Sequence, residues 1–158
     1  MANRILLPVY KMLYEKGFSY SNFDQRMEMQ KAIYLLQDMG VPVGDYGFRW
    51  YQHGPYSQRL HDDMYYESGR LCHSLTLTKE YAESIERLHD VIHHQAGKVY
   101  SISNWVECLA SLHYLRENLL DFNSSEETVV CELERRKAHL CDHSANISAY
   151  RLVEGLFS

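Results

Sequence analysis

The stretch at residues 30–78 constrains the fold more than any other part of the chain. It begins with a helical pattern of apolar residues that ends at Gly40. Glycine is the residue that best tolerates the left-handed backbone of a helix C-terminus. An extended aromatic piece at residues 48–51 follows and meets a break at Gly54-Pro55. A second helix then begins and runs to the next glycine, so this stretch predicts two helices joined by a short extended segment.

A segment of alternating apolar and polar residues follows Gly69. Alternation with a period of two is typical of β-strands. The segment therefore predicts a short β-hairpin, in which the pattern is formed by Leu71, Ser74, Leu75, Thr76 and Leu77. Helix, extended piece, helix and hairpin is the order of a winged helix-turn-helix. The sequence predicts a mainly α fold with a winged-helix-like core and a short β-hairpin, followed by a helical C-terminal extension.

Residues 4–16 precede this core and predict an amphipathic helix, because their apolar side chains recur at three- and four-residue spacing. Lys16-Gly17 is expected to close the helix, since a cation and a glycine both favour a helix C-terminus.

The segment at residues 95–98 interrupts the helical pattern and is the candidate domain boundary. Apolar spacing beyond it predicts further helices. We expect a winged-helix-like domain at residues 1–97 and a helical portion at residues 98–158 that packs on it, with one single domain as the alternative.

Composition indicates a soluble globular chain, because 46% of the 158 residues are hydrophobic and 23% are charged. No apolar run approaches the roughly 20 residues that a membrane-spanning helix needs. Residues 1–8 lack the pattern of a secretory signal. We therefore expect a cytoplasmic protein in which the cysteines are reduced and buried in apolar surroundings. The four cysteines, which form no CxxC pair, are Cys72, Cys108, Cys131 and Cys141.

The helix after Gly54-Pro55 has two distinct faces at about 100° per residue. The residues expected to face the core are Tyr56, Leu60, Met64 and Leu71. The opposite face carries Gln58, Asp62, Tyr65 and Tyr66. In a DNA-binding winged helix this second face would enter the major groove, where an acidic centre is penalised by the phosphates.

Net charge also disfavours DNA as the main partner, because the chain carries −5 with a pI near 6.0. If DNA were bound, phosphates would be reached from three basic residues that flank the helix, Arg59, Arg70 and Lys79.

The 13 tyrosines and two tryptophans exceed what a domain of this size can bury. Tyrosine and tryptophan are enriched in protein interfaces. The residues that the sequence predicts to bind a protein partner are Trp50, Tyr51, Gln58, Asp62, Tyr65 and Tyr66. The alternative interpretation is that the tyrosines are scattered over the surface and the core.

Two groups of histidine and cysteine could hold a metal, although neither has a common zinc-binding spacing. His89 and His93 stand four residues apart, without the glutamate of an HExxH motif. The second group comprises Cys131, His139, Cys141 and His143. Such residues more often belong to a solvated helix face, and we assign neither group a metal.

No arrangement typical of an enzyme stands out. The sequence has no GxSxG nucleophile elbow and no glycine-rich phosphate loop. We therefore expect no enzymatic activity, no catalytic residues and no cofactor.

Two short motifs at a characteristic separation carry a resemblance to a known family. The first is Gln-Lys-Ala-Ile-Tyr-Leu-Leu at residues 30–36, and the second is His-Gly-Pro-Tyr-Ser at residues 53–57, after Phe48 and Trp50. Over residues 24–80 the chain resembles the YwgA-like group of small prokaryotic proteins and, more distantly, the Panacea domain of many antitoxins. The resemblance implies a cytoplasmic, non-enzymatic module encoded beside toxins, phage genes or defence genes, and it does not extend beyond residue 97.

The leading hypothesis is a non-enzymatic protein-interaction or regulatory module, antitoxin-like or an adaptor in a phage-related or defence operon. Its partner would be a protein, a toxin or the product of a neighbouring gene. The alternative is a winged-helix DNA-binding transcriptional regulator.

Overall fold

The computed structural model describes residues 3–70, 76–121 and 123–158. Over these ranges the protein is mainly helical, with seven α-helices and one small antiparallel β-hairpin, which confirms the predicted mainly α class. The elements are α1 (Leu6–Tyr14), α2 (Phe23–Asp38), β1 (Arg49–Tyr51), β2 (Gly54–Tyr56), α3 (Gln58–Glu67), α4 (Lys79–Ile92), α5 (Ile102–Tyr114), α6 (Glu126–Arg136) and α7 (His143–Gly155). A 3₁₀ turn (Gln95–Val99) precedes α5, and a π-helical turn (Leu115–Leu119) follows it.

The observed hairpin lies between α2 and α3. Strand β1 pairs antiparallel with β2, in a register that places Arg49 opposite Tyr56 and Trp50 opposite Pro55. The predicted extended piece is therefore a strand, and the predicted break at Gly54-Pro55 is its partner strand.

The sequence also predicts a hairpin after α3. Its residues 71–75 lie outside the described residues, and Thr76 and Leu77 are not part of a strand. The one hairpin of the described ranges thus precedes α3 instead of following it.

Helix α2 is the centre of the core. Every residue from 27 to 36 is buried, which is the pattern of a helix surrounded by protein on all sides. Helix α5 packs against α2, β2 and α7. The buried side chains form one continuous cluster that joins residues 1–97 to residues 98–158, with members such as Leu6, Leu35, Leu60, Leu109 and Val153.

A helix buried on all sides must satisfy its polar side chains internally. Glu28 accepts a hydrogen bond from the Tyr10 hydroxyl at 2.7 Å, and Lys16 Nζ lies 3.4 Å from the same carboxylate. These contacts attach α1 to α2.

Side-chain caps define the N-termini of several helices. The residues that accept a hydrogen bond from a backbone N–H three positions later are Asn22, Ser57, Ser101, Ser125 and Asp142. Such caps satisfy donors that have no partner inside the helix.

Helix α3 has the two faces that its sequence predicts. Leu60 and Met64 are fully buried, while Tyr65 and Tyr66 are exposed. The prediction for Tyr56 is wrong, because that residue belongs to β2 and is only half-buried. Leu71 lies outside the described residues.

Candidate partner-binding site

Two buried lysines fix the hairpin against the helices. Lys31 of α2 donates a hydrogen bond to the Pro55 carbonyl at 2.8 Å. Lys137, which follows α6, donates to the Tyr51 carbonyl at 3.2 Å and also to the Gln52 carbonyl. Both strands of the hairpin are thus bound by ammonium groups from different parts of the chain.

Burial strongly affects these cations. It lowers the pKa of Lys31 to about 7, while Glu107 partly raises this pKa and Lys137 lowers it further. Glu107 is itself buried, 3.6 Å from Lys137 Nζ and 2.9 Å from the Nε2 atom of His139. A single buried carboxylate therefore faces two buried lysines beneath the hairpin.

Gln30 positions the start of α3. Its amide oxygen accepts a hydrogen bond from the Ser57 N–H at 2.9 Å, and its amide nitrogen donates to the Ser57 carbonyl at 2.8 Å. Ser57 in turn caps α3 by accepting a hydrogen bond from the Leu60 N–H. The motifs at residues 30–36 and 53–57 are therefore one structural unit, in which Gln30 and Lys31 bind the backbone of the hairpin and cap.

A groove of about 240 Å³ opens between the start of α2, the hairpin and α3. Its residues come from all three elements, so it exists only because the hairpin is held against the helices. It is lined by Phe23, Arg26, Met27, Tyr51, Gln52, His53, Tyr56 and His61.

Aromatic rings surround this groove in edge-to-face contact. Tyr51 lies 5.3 Å from Tyr56 between ring centroids, and Phe23 lies 5.2 Å from His53. Such contacts hold rings in defined positions. Phe23 and Tyr51 are nevertheless 48% and 53% exposed, so they form a ring-lined opening instead of a closed core.

Tyr20 extends the aromatic surface to α3. Its ring lies 5.2 Å from that of Tyr65, and its hydroxyl lies 2.8 Å from His61 Nε2. Tyr65 is 66% exposed. We refer to Tyr20, Phe23, Tyr51, Tyr56 and Tyr65 as the aromatic rim.

The electrostatic character of the groove is set by Arg26. Its guanidinium lies 5.2 Å from the Tyr20 ring centroid and 5.6 Å from that of Phe23, and it donates to the Tyr20 carbonyl. Burial lowers the pKa of His53. Among the described residues, the lining contains no aspartate or glutamate, so the groove is apolar with one cationic side.

A second groove of about 280 Å³ lies on the other side of Tyr51 and Tyr56, where its remaining lining comes from Gly47, Arg49, Ser57, Gln58 and Arg59. The two tyrosines are shared by both grooves and form the wall between them.

Most of the residues predicted to bind a partner lie on or beside this surface. Tyr51 and Tyr65 belong to the aromatic rim, and Gln58 lines the second groove. Asp62 is exposed one turn further along α3 and accepts a hydrogen bond from Gln58 at 3.0 Å. Tyr66 is exposed.

Trp50 lies apart from the other predicted residues. Successive residues of a strand point to opposite faces, and Trp50 packs on the far side of the hairpin from Tyr51. Its half-buried ring lies 5.0 Å from Lys137 Nζ and 5.8 Å from the Tyr114 ring, against the C-terminal helices.

Several lining residues of the first groove were not among the residues predicted from the sequence. Phe23 and Arg26 are one turn apart at the start of α2, and His53 and His61 flank β2 and the first turn of α3. The aromatic character of residues 18–23 was the one signal that could have located this side of the groove.

Two of the three basic residues of the DNA-binding alternative contact other groups of the protein. Arg59 donates to the Asp45 carbonyl at 3.0 Å, and its guanidinium lies 5.1 Å from the Tyr46 ring. Arg70 lies 4.0 Å from Glu67 and 4.8 Å from the Tyr66 ring.

Lys79 is 92% exposed and lies 4.0 Å from the Glu83 carboxylate. Glu67, one of the acidic residues of α3, is buried, whereas Asp62 remains exposed at the centre of the outer face.

The histidine and cysteine groups separate into one cluster and one scattered set. His89 and His93 come together with Glu15. Within the described ranges, the second set forms no such cluster: His139 contacts Glu107 and His143 contacts Glu134.

The cysteines are only partly as predicted. Cys108 is buried, and burial raises the pKa of its thiol, which makes it an inert core residue. The expectation of burial is wrong for Cys131 and Cys141, which are exposed because they lie on the outer side of α6 and on the loop before α7. Cys72 lies outside the described residues.

Within the described residues, no helix combines the length and the apolar character that a membrane crossing requires. No family model, curated protein or solved structure matches the chain.

Proposed function

We propose that this chain is a non-enzymatic protein-interaction module whose aromatic rim and adjoining groove receive a segment of a protein partner. The observation that carries the proposal is the exposure of Phe23, Tyr51 and Tyr65, each about half or more, around one ring-lined groove. Exposed aromatic side chains that are already held in place lose little entropy on binding, and such residues dominate interface energies.

The chemistry of the groove defines the partner segment. The apolar lining from Phe23, Met27 and Tyr56 suits a large apolar side chain. Arg26 supplies a positive charge at the same opening, where the described lining residues include no carboxylate to neutralise it. The complementary segment therefore carries an apolar side chain beside an acidic one.

The biological setting in this proposal comes from the family resemblance. A module of that kind would act as an antitoxin-like protein or an adaptor, contacting a toxin or the product of a neighbouring phage-related or defence gene in the cytoplasm. The contacts between the residue 30–36 and 53–57 motifs support this reading, since they give both motifs a shared structural role.

The alternative is a winged-helix DNA-binding regulator that inserts α3 into the major groove. The succession of α2, an extended strand and α3 is the part of the winged-helix order that the described residues share, and Arg49 and Arg59 border the second groove. The exposed Asp62 on the outer face of α3, the internal contacts of Arg59 and the net charge of −5 argue against it.

The deciding experiment is affinity purification of the tagged protein from its native host, with nuclease added to half of the lysate. We expect a stoichiometric protein partner that survives nuclease. Recovery of DNA without a stable protein partner would overturn the proposal in favour of the regulator.

Variants then locate the binding surface. Phe23→Ala and Tyr65→Ala should each weaken partner binding by about 2 kcal/mol if they act as hot spots. Met12→Ala is the matched control, because Met12 is a similarly exposed apolar residue on α1, away from the groove. Equal binding by all three variants would place the interface elsewhere.

A further inference from the structure

Glu15 has an unusual backbone at the end of α1. Its φ of 60° and ψ of 32° lie in the left-handed region, and it is the one non-glycine residue of the described ranges with positive φ. This conformation costs roughly 1–2 kcal/mol for a residue with a Cβ. The sequence predicted that Lys16-Gly17 would close the helix, but the C-cap is Glu15, one residue before that pair. Backbone strain of this kind is common at functional sites, where the surrounding structure holds the residue in place.

The Glu15 carboxylate lies against two histidines of α4. Its Oε2 atom is 2.9 Å from His89 Nε2 and 3.7 Å from His93 Nε2. The two imidazole rings are 4.4 Å apart between centroids, because residues four apart share one face of a helix. Both histidine side chains are about 30% exposed, so the cluster is open to solvent.

These separations are near those of metal ligands. Ligand atoms at the usual 2.0–2.2 Å from a tetrahedral zinc ion lie about 3.3–3.6 Å from one another. One ligand atom from each of Glu15, His89 and His93 lies within 4.8 Å of the other two.

The surroundings of the histidines resemble the outer shell of a metal site. His89 Nδ1 lies 3.2 Å from the Asp90 carboxylate, and a second carboxylate of this kind commonly orients a metal-binding histidine. His93 Nε2 lies 2.7 Å from the Leu13 carbonyl. Metal binding at Nε2 replaces that hydrogen bond, whereas binding at Nδ1 keeps it.

We propose that Glu15, His89 and His93 form a binding site for a divalent transition-metal ion, zinc in the first instance, with water or a partner group in the remaining position. Two imidazole nitrogens and one carboxylate oxygen are a ligand set that such ions favour. The ion would join the C-terminus of α1 to α4. It would therefore stabilise the fold by an amount that grows with the free metal concentration relative to the Kd.

The test uses the full chain without a histidine tag, stripped of metal by a chelator. Zinc chloride is titrated in by calorimetry, and the melting temperature is measured with and without zinc. We expect one zinc ion per chain, a higher melting temperature with zinc, and neither effect with magnesium, which prefers oxygen ligands.

Glu15→Gly is the informative variant, because glycine adopts the left-handed backbone without strain. The metal-free variant should therefore fold at least as stably as the wild type, yet bind zinc about tenfold or more weakly. His89→Ala should remove binding. His143→Ala is the control, since His143 is also an exposed histidine beside carboxylates but stands outside the cluster.

The proposal is overturned if zinc leaves the wild-type melting temperature unchanged. It is also overturned if Glu15→Gly and His89→Ala both bind zinc as tightly as the wild type.

Discussion

The side-chain amide of Gln30 and the backbone of Ser57 form two reciprocal hydrogen bonds, at 2.8 and 2.9 Å, in a fully buried environment. This pair connects the central helix to the residue that caps α3. It is the contact through which the core of the protein positions the helix that carries Tyr65.

Gln30→Leu should destabilise the protein by about 1–3 kcal/mol, because leucine is similar in size but leaves the buried Ser57 N–H without an acceptor. Urea denaturation followed by circular dichroism measures the change in the free energy of unfolding. Gln95→Leu is the control and should change it by less than about 0.5 kcal/mol, since Gln95 is exposed. Equal effects from the two variants would show that the Gln30–Ser57 pair contributes nothing.

Gly54→Ala should destabilise the protein by about 2–5 kcal/mol, through a strained backbone and a steric clash. Gly54 has φ +85°, and an added Cβ would lie 2.3 Å from Ser111 Oγ. Thermal unfolding measures the loss. Gly47→Ala is the matched control, because a Cβ there meets nothing within 4 Å.

A double variant separates the two causes. Ser111 Oγ is buried without a hydrogen-bond partner among the described residues, so Ser111→Ala alone should cost little. Combined with Gly54→Ala, it should recover the part of the loss that comes from the clash and leave the backbone strain. Strictly additive effects would show that the clash is relieved in some other way.

His113 should make stability depend on pH. Burial by itself lowers the pKa of His113, but hydrogen bonds to Asp38 at 2.9 Å and Glu154 at 3.5 Å outweigh burial and raise it. A raised pKa in the folded state gives a stabilising contribution that is full below the unfolded value of about 6.5 and is lost as pH rises through the folded value.

Asp38→Asn tests this contribution, since Asp38 is partly exposed and its replacement preserves size. Nuclear magnetic resonance should show a His113 pKa above 6.5 in the wild type and a lower one in the variant. The stability advantage of the wild type over the variant should shrink between pH 6 and 8. An unchanged His113 pKa in the variant would contradict the assignment.

Lys31 should give the opposite pH dependence. Because burial lowers its pKa to about 7, the unfolded chain holds a proton between pH 7 and 10 that the folded chain has released. Stability then rises with pH by up to about 1.4 kcal/mol per unit. Lys31→Met should flatten this rise, and Lys79→Met, at an exposed position, should not. Denaturant titrations at a series of pH values measure both slopes.

The local sequence pattern was sufficient to predict that the chain is mainly helical and which side of α3 faces the core. The spacing of Leu60 and Met64 predicted that they would be buried, and the same helical period placed Tyr65 and Tyr66 on the outer side. Helical periodicity is a local property, so it can be read without knowing what the helix packs against.

The pairing of β1 with β2 could not be predicted from the local sequence pattern. Gly54-Pro55 has the local signature of a turn, but it forms a strand whose pairing is supported by Lys31 and Lys137, far apart in the sequence, which bind the carbonyls of both strands. Tyr56, predicted to face the core, is half-buried in that strand.

What the sequence by itself determined, then, was the mainly helical class, the inner and outer faces of α3 and the excess of aromatic residues available for a surface. The tertiary structure alone decided that Phe23, Tyr51 and His61 line one groove and that Glu15 meets His89 and His93. Each of these sites joins residues from separate elements, and their proximity depends on how the helices pack, which no local pattern encodes.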